Sequence, residues 1–411
     1  MVRKNRPPAL TANDAARLVA PGSRVFVGGA LAEPAPVLDA VAADASLWRD
    51  VVLTGVMVPG FNKRDLSAIG MHTRVELVVP TPEMSPGPNV HLMPIHYSAF
   101  ARRLGTAGLV QWAFFATAMP EGDVVDLGPT ADFLPVLAEA GVKLVAVVNP
   151  ALPAMRNGVR LPLERLEAIV EADAWFPPFT ASGTDATNRA IASFVVENVR
   201  DGATIEIGIG KLQGALFEAL KGRRGLGLHA GMISPPILPL IDAGVFSQGI
   251  TTGFAIGDKM SIEAMAQRDD IRFAPVTETH YAGSLSRIEC FVAVNSALEV
   301  DLWGQANVER AGGRVVGGVG GLMDFMHGAR RSPGGVSILA LPATARGGSV
   351  SRIVPLLGGP VSVARHDVDI VVTEFGSADL RGVSDAERAR RLTAIAAPDF
   401  RDTLWRDWQA G

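Results

Sequence analysis

Short runs of β-branched and aliphatic residues alternate with Ala/Leu-rich stretches along most of this chain. Val51–Val56 and Lys143–Val148 are apolar runs of strand length that end at turn residues, while Ala131–Ala140 and Ile191–Val199 read as helices. Such alternation predicts an α/β fold with largely parallel sheets, covered by helices on both faces.

Two segments repeat one another. Pro21–Gly29 is echoed by Asp201–Ile209: a turn glycine (Gly22, Gly202), an alternating apolar strand, a glycine loop, then a helix, Val37–Ala42 in one case and Ala215–Leu220 in the other. Matched positions this far apart predict two similar open α/β lobes. Turn-forming residues from Trp175–Pro178 to Gly183–Asp185 interrupt the pattern, so the expected lobes are 1–180 and 185–411. Facing across a cleft, they would present a ligand site at the strand ends.

Composition narrows the function. At 411 residues the chain exceeds what one core usually absorbs, and 48% apolar residues exclude a disordered chain. A formal charge of −4 offers no basic surface for nucleic acid. The single Cys290 fits a reducing compartment; it lies in Ile288–Val294, which reads as a strand and makes it a buried, inert thiol. Basic Met1–Arg6 runs into Pro7-Pro8 and polar Thr11–Asp14 rather than the apolar core of a secretory signal. No run approaches the roughly 20 apolar residues that span a bilayer. A cytoplasmic protein without nucleic-acid or membrane partners is expected.

Glycine loops carry the candidate chemistry. Gly208–Gly214 follows a strand and opens a helix, where free N–H groups favour an anion such as a phosphate. It departs from a dinucleotide fingerprint, because the third glycine comes one residue late and no acidic residue closes a second strand about 20 residues on. A structural turn is the plainer alternative. Gly317–Gly321 holds four glycines in five residues, so several N–H groups could converge on one oxygen, as an oxyanion hole requires; a flexible hairpin is the alternative. No Gly-x-Ser-x-Gly elbow or Walker sequence is present, and the seven histidines show no metal-ligand spacing.

These residues resemble the acetyl-CoA hydrolase/transferase family. The likeness is carried by Gly317–Phe325, Leu341–Gly348, Arg365–Val368, Val371–Gly376, Ala378–Gly382, Asn295–Leu302 and Ala397–Arg401. It spans nearly the whole chain, loosely before residue 190 and specifically across 290–401. The resemblance implies a CoA-transferase-like fold of the NagB/RpiA type and no resident cofactor or metal. Coenzyme A and acyl-CoA enter as substrates with a small carboxylate partner, and a homodimer is compatible. CoA contacts fall on Gly208, Ile209, Gly210, Lys211, Leu212, Leu298, Gly317, Gly321 and Arg346.

In the family, a glutamate in a His-x-Glu-Met segment attacks the thioester, and a glutamyl-CoA intermediate follows. Here the segment reads His229-Ala230-Gly231-Met232, so the nucleophile position holds Gly231. Glu374 matches a glutamate that relatives place near the site and is the catalytic candidate, with capping of the next turn as its plainer role. Glu206 and Glu278 could also take over some of the nucleophile's work, but Glu206 is expected to face outward as a surface carboxylate and Glu278 to be a solvated loop residue; His229 is a core histidine or a polar wall. The expectation is a CoA-transferase or acyl-CoA hydrolase. The alternatives are a non-catalytic binder of CoA esters and a C–C hydrolase of β-keto acyl-CoA; a dehydrogenase is a third. Pro86–Asn89 and Met119–Asp123 are loops that could shape an acyl pocket, but the acyl group itself is not legible.

Overall fold

The structure is a computed structural model that describes residues 6–84, 86–180, 183–208 and 210–410. The chain divides into two compact units. Unit one comprises Met1–Thr180, Gly231–Pro235 and Thr251–Thr279; unit two comprises Ala181–Ala230, Pro236–Ile250 and His280–Gly411.

Unit one is built on an eight-stranded sheet in the order Ala9–Leu10, Leu166–Glu171, Lys143–Val148, Trp112–Thr117, Arg24–Val27, Val52–Gly55, Arg74–Leu77, Val90–Leu92. Every neighbouring pair is parallel. All six residues of Trp112–Thr117 are buried. Phe115 packs with Phe100, Phe133 and Leu137, whereas its neighbour Phe114 packs with Trp48, Leu38 and Val145. Successive side chains thus feed two cores on opposite faces, which is why the strand reads as a continuous apolar run.

In unit two, Thr204–Ile207 pairs with Gly227 and Leu228 on one side and with Phe291–Ser296 on the other. Val336–Ala340 and Ile370–Thr373 extend the parallel sheet, and Gly376–Asp379 closes it antiparallel. The two repeated sequence segments, Arg24–Val27 and Thr204–Ile207, occupy equivalent places. Each strand is the point from which its sheet grows in both directions, the switch point at which open α/β sheets bind ligands.

Several boundaries differ from the sequence reading. The helix expected over 131–140 is Leu134–Glu139, because the N–H groups of Ala131 and Asp132 donate to Gly253 O (3.1 and 3.3 Å) and Thr130 bridges Phe254 antiparallel. The helix expected over 191–199 is Ala186–Val196, started by Asp185, whose carboxylate accepts the Asn188 N–H at 2.9 Å. The strand expected over 288–294 is Phe291–Ser296; Cys290 precedes it, buried, at φ +54 and against the Arg200 guanidinium. No helix among the described residues is long and apolar enough to cross a membrane.

Candidate active site

Four parallel neighbours in unit two deliver their following residues to one edge of the sheet. These are Gly208 after Thr204–Ile207, Leu298 after Phe291–Ser296, Ala343 after Val336–Ala340, and Glu374 after Ile370–Thr373. The Gly208 N–H donates to Val294 O at 3.1 Å, and a Cβ there would stand 3.6 Å from Asn295 Oδ1. Gly210 has φ +118 and ψ −166, a conformation open essentially to glycine alone, as it caps the helix Lys211–Leu220. Lys211 is exposed and Leu212 buried beneath it; Ile209 lies outside the described residues. The Leu298 N–H is committed to Asn307 O at 2.9 Å.

The glycine loop is not a hairpin: it runs as coil into the helix Leu322–Arg331. Gly317 donates its N–H to Glu309 O at 3.2 Å, which removes it from the set of oxyanion donors. The N–H groups of Gly318, Val319, Gly320 and Gly321 meet no acceptor among the described residues, and they directly precede the positive end of the helix. A Cβ at Gly321 would lie 2.4 Å from His280 Nε2 and 3.3 Å from Phe325. His280 is buried with its ring 4.5 Å from Phe325; burial, then the charge of His229, push its pKa down to about 3, so the imidazole stays neutral. His229 is likewise a core residue, edge-on to Phe291 at 6.2 Å. Arg346 is exposed at φ +49, its guanidinium 3.7 Å from where a Gly312 Cβ would stand.

The carboxylates behave differently from one another. Glu374 Oε2 accepts the Ala343 N–H at 2.7 Å, tying the strand end to the Leu341–Ala343 turn. Glu206 is not on the surface: it is 3% exposed and accepts the Asn295 Nδ2 at 2.8 Å. In a parallel sheet covered on both faces, alternation no longer marks an outward side. Burial pushes the Glu206 carboxyl up to about 8, against the lowering pull of Asn295. Glu278 is solvated as expected, its side chain 44% exposed, but it sits in the helical turn Val276–Thr279 rather than in a loop and pairs with Arg272.

Unit one holds an arrangement that the sequence reading missed. At the carboxyl end of Arg24–Val27, a Cβ on Gly29 would stand 1.8 Å from Val56 O, so the backbone approaches closely there. Ala30 follows at φ +49, held through its N–H by Asn62 Oδ1 at 2.9 Å. A cavity of about 10 Å³ adjoins this turn and Asp132. Asp132 has φ +32, a strained conformation for a non-glycine residue that costs on the order of 1–3 kcal/mol. Burial pushes its carboxyl up to about 8. A second cleft of about 420 Å³ lies beyond Ala30, walled by Leu31, Phe61, Arg64, Trp175 and Pro177. The turn pair Gly128-Pro129 just before Asp132, and Pro135, which suits the first turn of a helix, were the available signs that a helix does not begin at 131. Among the described residues, no cluster of His, Cys, Asp and Glu could hold a metal ion.

Known proteins share this architecture and its C-terminal sequence. Residues 257–408 match the acetyl-CoA hydrolase/transferase C-terminal domain. The chain is 33% identical over 292 residues to a 4-hydroxybutyrate coenzyme A transferase of Clostridium kluyveri, covering 69% of this chain and 68% of that one. The crystal structure of RipA from Yersinia pestis superimposes with a TM-score of 0.90 at 26% identity, covering 98% and 97% of the two chains. A 4-hydroxybutyrate CoA-transferase from Porphyromonas gingivalis gives 0.82 at 28% identity, with the same coverage.

Proposed function

Because this chain belongs to the acetyl-CoA hydrolase/transferase family, we propose that it acts on the CoA thioester of a small carboxylic acid. We further propose that it releases the acid by hydrolysis. The observation that carries the second step is Gly231 in His229-Ala230-Gly231-Met232, which we match to the nucleophilic carboxylate of the family's His-x-Glu-Met segment. A glycine can form neither the acyl anhydride nor the glutamyl-CoA that follows it.

Binding falls to the carboxyl edge in unit two. Gly208–Leu212, Leu298 and Arg346 contact CoA, and the N–H groups of Gly318–Gly321 receive the charge that develops on the thioester oxygen. Glu374 acts as an oriented acceptor: its Ala343 hydrogen bond fixes the turn beside it. In hydrolysis, water oxygen bonds to the acyl carbon, the C–S bond breaks, and the thiolate leaves to be protonated as CoA.

The test is a panel of short acyl-CoAs assayed for free thiol, with and without acetate or succinate as acceptor. Thiol release independent of the acceptor is expected. Exchange of CoA onto the acceptor without free thiol would remove the hydrolytic reading and leave the transferase one. A second reading, a binder of CoA esters without turnover, is favoured by Gly231 together with the engagement of Glu374 by Ala343. It predicts thermal stabilisation by CoA esters and no thiol.

A further inference from the structure

Position 231 lacks a carboxylate, yet a carboxylate lies beside it in unit one. A Cβ built on Gly253 would stand 2.9 Å from the Gly231 carbonyl oxygen, 3.7 Å from Asp132 Oδ1 and 3.8 Å from Thr279 Oγ1. The Asp132 side chain and the backbone of residue 231 therefore share one neighbourhood. The Asp132 N–H donates to Gly253 O at 3.3 Å, and its carbonyl accepts the Val276 N–H at 2.9 Å. Backbone contacts on both sides thus lock the residue in its strained conformation.

The side chain leaves one oxygen unclaimed among the described residues. Asp132 is 8% exposed and Thr130 5% exposed, and neither Asp132 Oδ1 nor Thr130 Oγ1 has a hydrogen-bond partner among the described residues. Both line the cavity of about 10 Å³ together with Gly29, Ala30, Phe133 and Phe254. That volume holds about one water molecule, and two polar atoms on its wall are the minimum such a water requires. The cavity adjoins the end of the switch strand at Phe26, Gly28 and Gly29, where α/β folds place their ligands.

We propose that Asp132 is the general base of the hydrolysis, acting on one water held between its carboxylate and the Thr130 hydroxyl beside Gly231. This rests on the reading of the chain as an acyl-CoA hydrolase. Asp132 accepts a proton from the water as the water oxygen bonds to the acyl carbon, and the carbonyl electron pair moves onto oxygen. When that pair returns, the C–S bond breaks; the CoA thiolate leaves and takes the proton back from the Asp132 carboxyl. Acid and CoA thiol are the products, and the carboxylate is regenerated.

The groups facing Asp132 define its pH behaviour. Tyr97, on the helix Tyr97–Leu104, is the titratable side chain coupled to it. Thr130 and Thr279 do not titrate, and Glu278 on the neighbouring helical turn is paired with Arg272. With its carboxyl pushed up to about 8, Asp132 gains its basic form as pH rises through that value.

The experiment compares wild type, Asp132→Asn and Thr130→Val for acyl-CoA binding by calorimetry and for thiol release across that pH range. Asp132→Asn is expected to bind within about threefold of wild type while losing about 100-fold or more in rate, together with the rising limb near pH 8. If it turns over within about threefold of wild type, or keeps the limb, the base assignment is overturned and the hydrolase reading stands. A wild type that binds no CoA ester, or binds without releasing thiol, overturns both. Should Asp132→Asn lose its cooperative melt, Thr130→Val decides. About a tenfold fall in rate with the melt retained supports the proposal, and an unchanged rate overturns it.

Discussion

Units one and two each bury a carboxyl group near the switch point of their sheet, and they hold it in opposite ways. Glu206 lies within the switch strand, satisfied by the Asn295 amide at 2.8 Å. Asp132 lies on the neighbouring segment of unit one with an oxygen that meets no donor among the described residues. Burial pushes both up to about 8. A raised pKa alone therefore does not separate a structural carboxyl from a reactive one; the hydrogen-bond partner does. The partnered group stiffens a strand pair, while the unpartnered one keeps its lone pairs for something that enters the cavity.

The contrast is broken most directly by exchanging each acid for its amide. Asp132→Asn is expected to cut thiol release by two orders of magnitude, about 2.7 kcal/mol of transition-state stabilisation, while Glu206→Gln leaves it within about threefold. Equal effects of the two substitutions would erase the distinction. Gly231→Glu sharpens it from the other side. A side-chain carboxylate returned to that position is expected to open the covalent route, seen by mass spectrometry as a CoA adduct after acyl-CoA incubation and by new sensitivity to borohydride. No adduct would mean that position 231 is not aimed at the acyl carbon.

Gly321→Ala tests the packing under the glycine loop. Its Cβ would press on the His280 ring at 2.4 Å, so a loss of about 1–3 kcal/mol in denaturant unfolding is expected. His280→Ala should recover part of it in a double-mutant cycle; purely additive losses would show that the ring is not the obstacle.

The smallest effect is a pH dependence of stability. The folded chain keeps the Glu206 proton up to about 8, whereas unfolded glutamate releases it near 4.5, so stability falls as pH rises between those values. His280 works the other way, adding stability as pH rises from about 3 to 6.5. From 6.5 to about 8 the decline due to buried carboxyls is uncovered, and Glu206→Gln is expected to flatten part of it in thermal melts. An unchanged slope would mean that Glu206 ionises in the fold at its ordinary value.

Much of the architecture was legible because it is written locally. The turn glycines Gly22 and Gly202, each ahead of an alternating strand, mark the two switch strands, and Gly210 marks a turn that needs positive φ. The parts that stayed hidden depend on distant partners. Asp132 sits at the head of an Ala/Leu-rich stretch that reads as a helix, and pairing with residues 253–255 overrides that propensity. Glu206 looked exposed because the alternation rule assumes one solvated face, which a doubly covered sheet lacks. Glu374 finds its partner Ala343 at the end of the adjacent strand, 31 residues away in sequence, and Gly317 spends its N–H on Glu309. Neither bond leaves a trace in residue spacing.

A single turnover of acyl-CoA in water labelled with heavy oxygen, with both the released acid and the intact protein weighed, examines the route itself. Direct attack by a water held at Asp132 predicts one labelled oxygen in the acid and none in the chain. Label retained on a protein carboxylate, with unlabelled acid released, would establish a covalent acyl-enzyme and contradict the account.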